Sequence, residues 1–235
     1  MKKNKAVAII TARGGSKRIP RKNIKLFLDY PIIKYSIEAA IASNCFEEVM
    51  VSTDDQEIAE IAKKYGANVP FVRSVQMSND YAPTADVIQE VLNEYEKRNM
   101  VFDFFCCIYP TAPFITAKKL REAIQLLKDK EADSVVPVVR FGYPIQRAFK
   151  IVDNQLQMIC PENLNMRSQD LMPAYHDAGQ FYVMKTASFN EQKKLFARNT
   201  APLIVPETEV QDIDTLEDWH IAEMKYKILI EKYGK

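Results

Sequence analysis

Net charge is the first thing this sequence lacks. Its 32 Lys and Arg against 31 Asp and Glu leave +1 at pH 7 over 235 residues. That balance gives no electrostatic footprint for nucleic acid, so any polyanion must be met by a local cluster of cations. Long apolar runs are missing too. The start, Met1-Lys2-Lys3-Asn4-Lys5, has the charge of a signal-peptide leader, but the run Ala6–Ile10 ends at Thr11 and Arg13, too short for its apolar core. Nothing later approaches the length of a membrane span, and a cytoplasmic protein without membrane attachment is expected. Glycine is scarce, and the usual nucleotide loops GxxxxGK[ST] and GxGxxG are both absent. The 4 cysteines (Cys45, Cys106, Cys107, Cys160) form no CxxC pair, and buried reduced thiols are expected. Cys106 and Cys107 are adjacent in an apolar run and should point to opposite faces of a strand.

What is present is an alternation of short apolar runs and helical periods. Lys5–Ile10, Glu48–Ser52, Val69–Val72, Phe104–Tyr109, Ser134–Val139 and Gln180–Met184 read as strands. Pro31–Ala42, Asp54–Tyr65 with Gly66 as its stop, Ala85–Lys97, Thr116–Lys128 capped by Thr116, and Thr215–Lys232 read as helices. This pattern predicts one α/β domain over residues 1–235, mostly parallel strands with helices on both faces. From Gly142 to Asp177 no period is sustained, and Pro144, Pro161 and Pro173 interrupt it. A stretch of that length is expected to be an inserted dimerisation or acceptor-site segment.

The strongest local signal follows the first strand, where open α/β sheets bind ligands. It is Thr11-Ala12-Arg13-Gly14-Gly15-Ser16-Lys17-Arg18-Ile19-Pro20-Arg21-Lys22-Asn23. Between Arg13 and Lys25 there are six cations and no acid. Two glycines let backbone N–H groups approach phosphate oxygens, and clustered cations suit a triphosphate; the bland alternative is a solvated basic loop. Near the end, Asp212 and Asp214 flank Ile213. In an extended segment that spacing sets both carboxylates on one face and the isoleucine on the core face. Oxygen ligands of this kind suit Mg²⁺. The alternative makes Asp214 an N-cap for the last helix, with Glu217 in the capping-box position.

The loop, with Pro20, Lys22 and Asn23, resembles the signature of the CMP-sialic acid synthetases, within a wider nucleotidyltransferase group that includes the CMP-Kdo synthetases. Val51-Ser52-Thr53-Asp54, the stretch Arg73–Thr84, Tyr109-Pro110-Thr111-Ala112-Pro113 and Asp212-Ile213-Asp214-Thr215 extend the resemblance along almost the whole chain. It implies a Rossmann-like nucleotidyltransferase fold, CTP as donor and an acidic nine-carbon sugar as acceptor. It further implies Mg²⁺ on Asp212 and Asp214, and a homodimer built through residues 142–177. Arg13, Lys17 and Lys22 would be catalytic contacts to the triphosphate. Ala12, Gly14, Gly15, Ser16, Asn23, Arg73, Ser78, Asp80 and Thr84 would complete the nucleotide site. With no histidine or cysteine placed as a nucleophile, a direct displacement at the α-phosphorus is expected.

The acceptor side departs from the sialic acid enzymes. Tyr109 replaces the glutamine of their QPTSP turn, and Tyr143-Pro144 stands where they carry His-Pro. Asp177-Ala178-Gly179-Gln180-Phe181-Tyr182 differs as well. These variants resemble the pseudaminic acid cytidylyltransferase branch, which makes Tyr109, Tyr143, Arg167 and Gln180 candidate sugar contacts. Arg167 would take the sugar carboxylate, or else be a surface or interface arginine. His176 could line the sugar pocket, and His220 reads as structural. The rivals are CMP transfer to N-acetylneuraminic, legionaminic or 3-deoxy-octulosonic acid, and a catalytically silent nucleotide-binding protein.

Overall fold

A computed structural model describes residues 5–233; most of the basic start, Met1 to Asn4, lies outside them. The elements run β1 (Ala6–Thr11), β2 (Leu26–Phe27), β3 (Tyr30–Pro31), α1 (Ile33–Ser43), β4 (Glu48–Ser52), α2 (Gln56–Lys64), α3 (Thr84–Glu96) and β5 (Phe104–Ile108). They continue with α4 (Ala117–Asp129), β6 (Ser134–Arg140), β7 (Phe149–Val152), β8 (Gln155–Met158), β9 (Tyr175–Asp177), β10 (Phe181–Lys185), α5 (Thr186–Gln192), β11 (Thr200–Ile204) and α6 (Leu216–Tyr233).

The main sheet has the order β11-β6-β10-β5-β1-β4. The pairs β1–β4, β1–β5 and β11–β6 are parallel, whereas β10 runs antiparallel to β5 and β6. Hydrophobic patterning locates a strand but leaves its direction open, so this reversal was not legible in the sequence. The first half of β6 pairs with β10 and its second half with β9. The chain turns the corner between those two strands at Gly179, whose φ of +61° lies in the left-handed region. Asp177 Oδ1 accepts the Gly179 N–H there at 2.9 Å.

The central strands are buried on both faces, which is why they read as continuous apolar runs. Cys106 faces Ile10, Ile37 and Leu120, while Cys107 faces Val91, Tyr95 and Phe189 across the sheet. All 4 cysteines are free, and burial pushes the Cys107 thiol up to about 12 and Cys106 well above its ordinary value. Such thiols are inert as nucleophiles at neutral pH. Thr116 caps α4 by accepting the Lys119 N–H at 3.2 Å, and Asp55 caps α2 through the Ile58 N–H at 3.0 Å.

Several regions differ from the sequence reading, which did not expect β2, β3, α5 or β11. Val69–Val72 is not a strand; Asn68 makes one isolated bridge to Met50, and the chain then leaves the sheet. Pro70 lacks the N–H a ladder needs. The stretch from Gly142 is more ordered than its lost period implied. It contains the hairpin β7–β8, turned by Asp153-Asn154 with φ of +50° and +60°, the left-handed geometry of a tight two-residue hairpin turn. Both strands are almost wholly exposed, and the last three residues of the stretch have already rejoined the main sheet as β9.

Beneath the carboxyl end of β1 lies a small apolar cluster separate from the two sheet faces. It unites Ile19, Phe27, Ile32, Phe114, Ile213, Trp219 and Ala222. Phe27 meets Tyr35, Trp219 and Tyr226 edge-on, with ring centroids 5.5 to 5.7 Å apart. Trp219 is 1 % exposed, so Trp219→Ala should remove about 3–5 kcal/mol of stability, measured by urea unfolding. A loss below about 1 kcal/mol would mean that the cluster does not hold α6 to the hairpin β2–β3.

Candidate active site

The glycine-rich loop leaves β1 with its backbone already fixed. The Ala12 N–H donates to Ser52 O at 2.9 Å, and the Gly14 N–H donates to Asp54 Oδ1 at 2.9 Å. A Cβ on Gly14 would lie 2.8 Å from the Asp55 carboxylate, so only glycine lets the loop pass so close to α2. Gly15 faces open space. Asn23 is buried and donates from Nδ2 to Arg13 O at 2.8 Å. Arg21 holds a left-handed backbone conformation, and its guanidinium bonds to Asp55 and Glu57. That contact draws the Asp55 carboxyl down to about 2. Arg21 is therefore a buttress that ties the loop to α2.

Four of the other cations, Arg13, Lys17, Arg18 and Lys22, line a cleft of about 200 Å³ together with Ser16, Asn23 and Tyr109-Pro110-Thr111. Larger hollows of about 570, 540 and 390 Å³ lie beside Gly142–Ala174, between α4 and α6, and against α3 near Ser74. None of these is lined by the loop, so charge rather than size identifies the site. Asp80 crosses the cleft mouth. Its carboxylate takes Arg13 Nη1 at 2.7 Å and also Lys17 Nζ. Hydrogen bonding first to Lys17 and then to Arg13 holds the Asp80 carboxyl below the usual range.

Of the paired carboxylates, Asp214 meets the loop. Ile213 is buried as the spacing required, while Asp212 is exposed and Asp214 half-buried. Asp214 Oδ2 accepts from Arg18 at 2.7 Å, and Lys22 Nζ lies 3.6 Å from Oδ1 and donates to Ile213 O at 2.6 Å. The capping alternative for Asp214 fails. Thr215 and Asp218 form the reciprocal box: the Asp218 N–H donates to Thr215 Oγ1, and Asp218 Oδ2 accepts the Thr215 N–H at 2.8 Å. Asp214 is thereby left to the loop cations.

The nucleoside-side candidates take up different positions. Arg73 is buried, with Nε and Nη2 donating to Ser52 Oγ and Ser52 O at 2.9 and 2.5 Å. Burial lowers its guanidinium to about 10, against the pull of Asp54 and Glu90. Ser78 closes its own turn by donating to Ser74 O. Thr84 opens α3, and Tyr109 meets Tyr182 edge-on with ring centroids 5.7 Å apart. Tyr182 in turn donates to Asp177.

On the acceptor side, Tyr109 lines the cleft and the other three candidates do not. Gln180 is 3 % exposed, with Nε2 donating to Glu209 O at 2.7 Å. Tyr143 and Arg167 are exposed and lie on the stretch between β6 and β9. His176 stacks on Phe141 with centroids 4.7 Å apart, and His220 is exposed 3.6 Å from Glu223. Sequence reasoning gave no role to Arg18, Asp54 or Asp55. Asp54 and Asp55 had a detectable signal, two carboxylates directly after a buried strand at the end of the sheet where the loop also emerges.

Comparison with known proteins agrees with this geometry. A cytidylyltransferase family model matches residues 7–225. A pseudaminic acid cytidylyltransferase of Campylobacter jejuni is 43% identical over 225 residues, 95% of this chain and 97% of that protein. A CMP-N,N'-diacetyllegionaminic acid synthase of Legionella pneumophila is 33% identical, covering 92% of this chain and 94% of its own. The same fold occurs in a CMP:2-keto-3-deoxy-manno-octonic acid synthetase solved with CTP, at a TM-score of 0.69 and 17% identity over 97% of this chain and 99% of that one. With its cationic loop lining a cleft, Asp214 paired to that loop, and a family match over nearly its whole length, this chain belongs to the cytidylyltransferases.

Proposed function

We propose that this enzyme transfers CMP from CTP to pseudaminic acid and releases pyrophosphate. The observation that carries the reading is the convergence of Arg13, Lys17 and Lys22 on one cleft at the carboxyl end of β1, against the Tyr109 turn. The anomeric hydroxyl oxygen attacks the α-phosphorus while the bond to the β-phosphate bridging oxygen breaks in line. Negative charge grows on the pyrophosphate leaving group, where fixed cations are worth most. Asp212 and Asp214 would hold Mg²⁺. The residues fit it: both donors are oxygen, and the buried Ile213 between them anchors the segment. A site of two carboxylates completed by phosphate oxygens and water is the usual Mg²⁺ arrangement. The bound ion would neutralise phosphate charge.

For the acceptor, the near-full-length likeness to a pseudaminic acid enzyme supports that sugar over its relatives. Pseudaminic acid carries a second acylamino group and a methyl where N-acetylneuraminic acid has hydroxyls. Tyr109 suits the less polar sugar, because it offers a broad apolar ring and one hydroxyl where glutamine offers an amide. The stretch around β7 and β8 exposes Phe149, Ile151, Leu156, Ile159 and Met172. An isolated hairpin is marginal in water, which supports a cytoplasmic homodimer packed through this segment.

Three outcomes are expected. With CTP, Mg²⁺ and a panel of acidic sugars, kcat/KM should be highest for pseudaminic acid, and Tyr109→Gln should narrow its lead over N-acetylneuraminic acid. Equal wild-type efficiency would refute the acceptor, and no pyrophosphate release with any sugar would refute the transfer. Lys17→Ala should lower turnover about 100-fold while changing stability by about 0.5 kcal/mol or less, since Lys17 is mostly exposed. Light scattering at micromolar concentration should give a dimer; a monomer would refute the assembly.

A further inference from the structure

The segment Glu207–Asp214 carries the two carboxylates, yet beyond one short turn it belongs to no helix or strand. Its backbone acceptors must be matched from outside, and side chains do this. Gln180 Nε2 donates to Glu209 O at 2.7 Å, Lys225 Nζ to Val210 O at 2.7 Å, and Lys22 Nζ to Ile213 O at 2.6 Å. The first of these contacts joins a larger network. Lys119 Nζ donates to Phe114 O at 2.9 Å and lies 2.7 Å from Glu209 Oε2. The two side chains are only 9 % and 12 % exposed. The backbone O of Gln180 accepts the Tyr109 N–H at 2.9 Å.

Both ends of the Tyr109–Phe114 turn are thus tied to Glu209, one through Lys119 and the other through Gln180. Gln180 Oε1 is buried without a hydrogen-bond partner. Flipping the amide would set two oxygens against each other at Glu209 O, so the donor orientation is fixed.

We propose that the buried Lys119–Glu209 pair, with Gln180, is a clasp that positions the Asp212–Asp214 segment against the acceptor-side turn. Lys119 and Glu209 are then positioning residues for the transfer. This rests on the function proposed above. A merely stabilising role predicts something different. A buried ion pair can be replaced by two apolar side chains with little loss of stability, whereas removing one partner strands a buried charge.

The test compares Lys119→Met, Glu209→Met, the double variant and Glu209→Gln with wild type, reading Tm, kcat, KM for CTP, and the Tm rise produced by CTP with Mg²⁺. The single Met variants should lose Tm. The double variant should recover it yet keep kcat at least about tenfold below wild type, the cost of a small misplacement. Its CTP and Mg²⁺ protection should be reduced, while Glu209→Gln, which retains the acceptor, should keep kcat within about threefold. A double variant with wild-type Tm, kcat and protection would overturn the clasp. If the double variant fails to fold, Gln180→Leu decides: lowered kcat in a folded protein supports the clasp, and wild-type kcat there overturns it. Wild-type enzyme inactive on every sugar would refute the function instead, and its CTP protection would still report the clasp.

Discussion

The arrangement of charge in this protein depends on a small apolar cluster rather than on the main sheet. Ile19 stands between Arg18 and Pro20, and Ile213 between Asp212 and Asp214; both isoleucines are buried in one group with Phe114 and Trp219. Neither the loop nor the carboxylate segment belongs to a sheet ladder, so this shared packing joins their polar ties in setting where each lies. Around Ile213 the chain is extended, so burying that residue directs Asp212 and Asp214 the opposite way, while Ile19 anchors a turn of the loop. Packing beneath the site thereby fixes where the charges meet above it, and Arg18 reaches Asp214 across 196 positions of sequence.

The six loop cations also divide by task. Arg13 and Lys17 meet Asp80, Arg18 and Lys22 meet Asp214, and Arg21 meets Asp55 and Glu57. Lys25 lies over the Trp219 ring at 5.4 Å. Counted along the sequence they form one undifferentiated patch. Folded, two face the nucleoside stretch, two face the carboxylates, and the others secure the loop to α2 and to the aromatic cluster.

Much of the fold was legible because its strongest signals are local. The spacing in α2 and α4, the cap at Thr116, and the fully apolar β5 each follow from a few adjacent residues. Strand direction at β10 and the existence of β11 do not, since each depends on which neighbour the chain meets after a long excursion. Pro202 within β11 argued against a strand, and edge position is what permits it. The site shows the same division. Gly14-Gly15, the loop cations and the Asp212–Asp214 spacing stand out in sequence. The partners of Asp214 and the burial of Gln180 depend on residues far away in the chain, and no short-range pattern encodes them. Thr215 and Asp218 were within reach, being three apart, but the glutamate one residue earlier drew the capping assignment.

The Asp80 bridge changes the meaning of the cationic loop. Arg13 and Lys17 are charge-balanced before any ligand arrives, so a phosphate that uses them enters by ion exchange rather than by filling a bare positive field. Exchange is a filter on charge density. An anion with one diffuse charge gains little by displacing a carboxylate that already spans both cations, whereas a polyphosphate offers several oxygens at once.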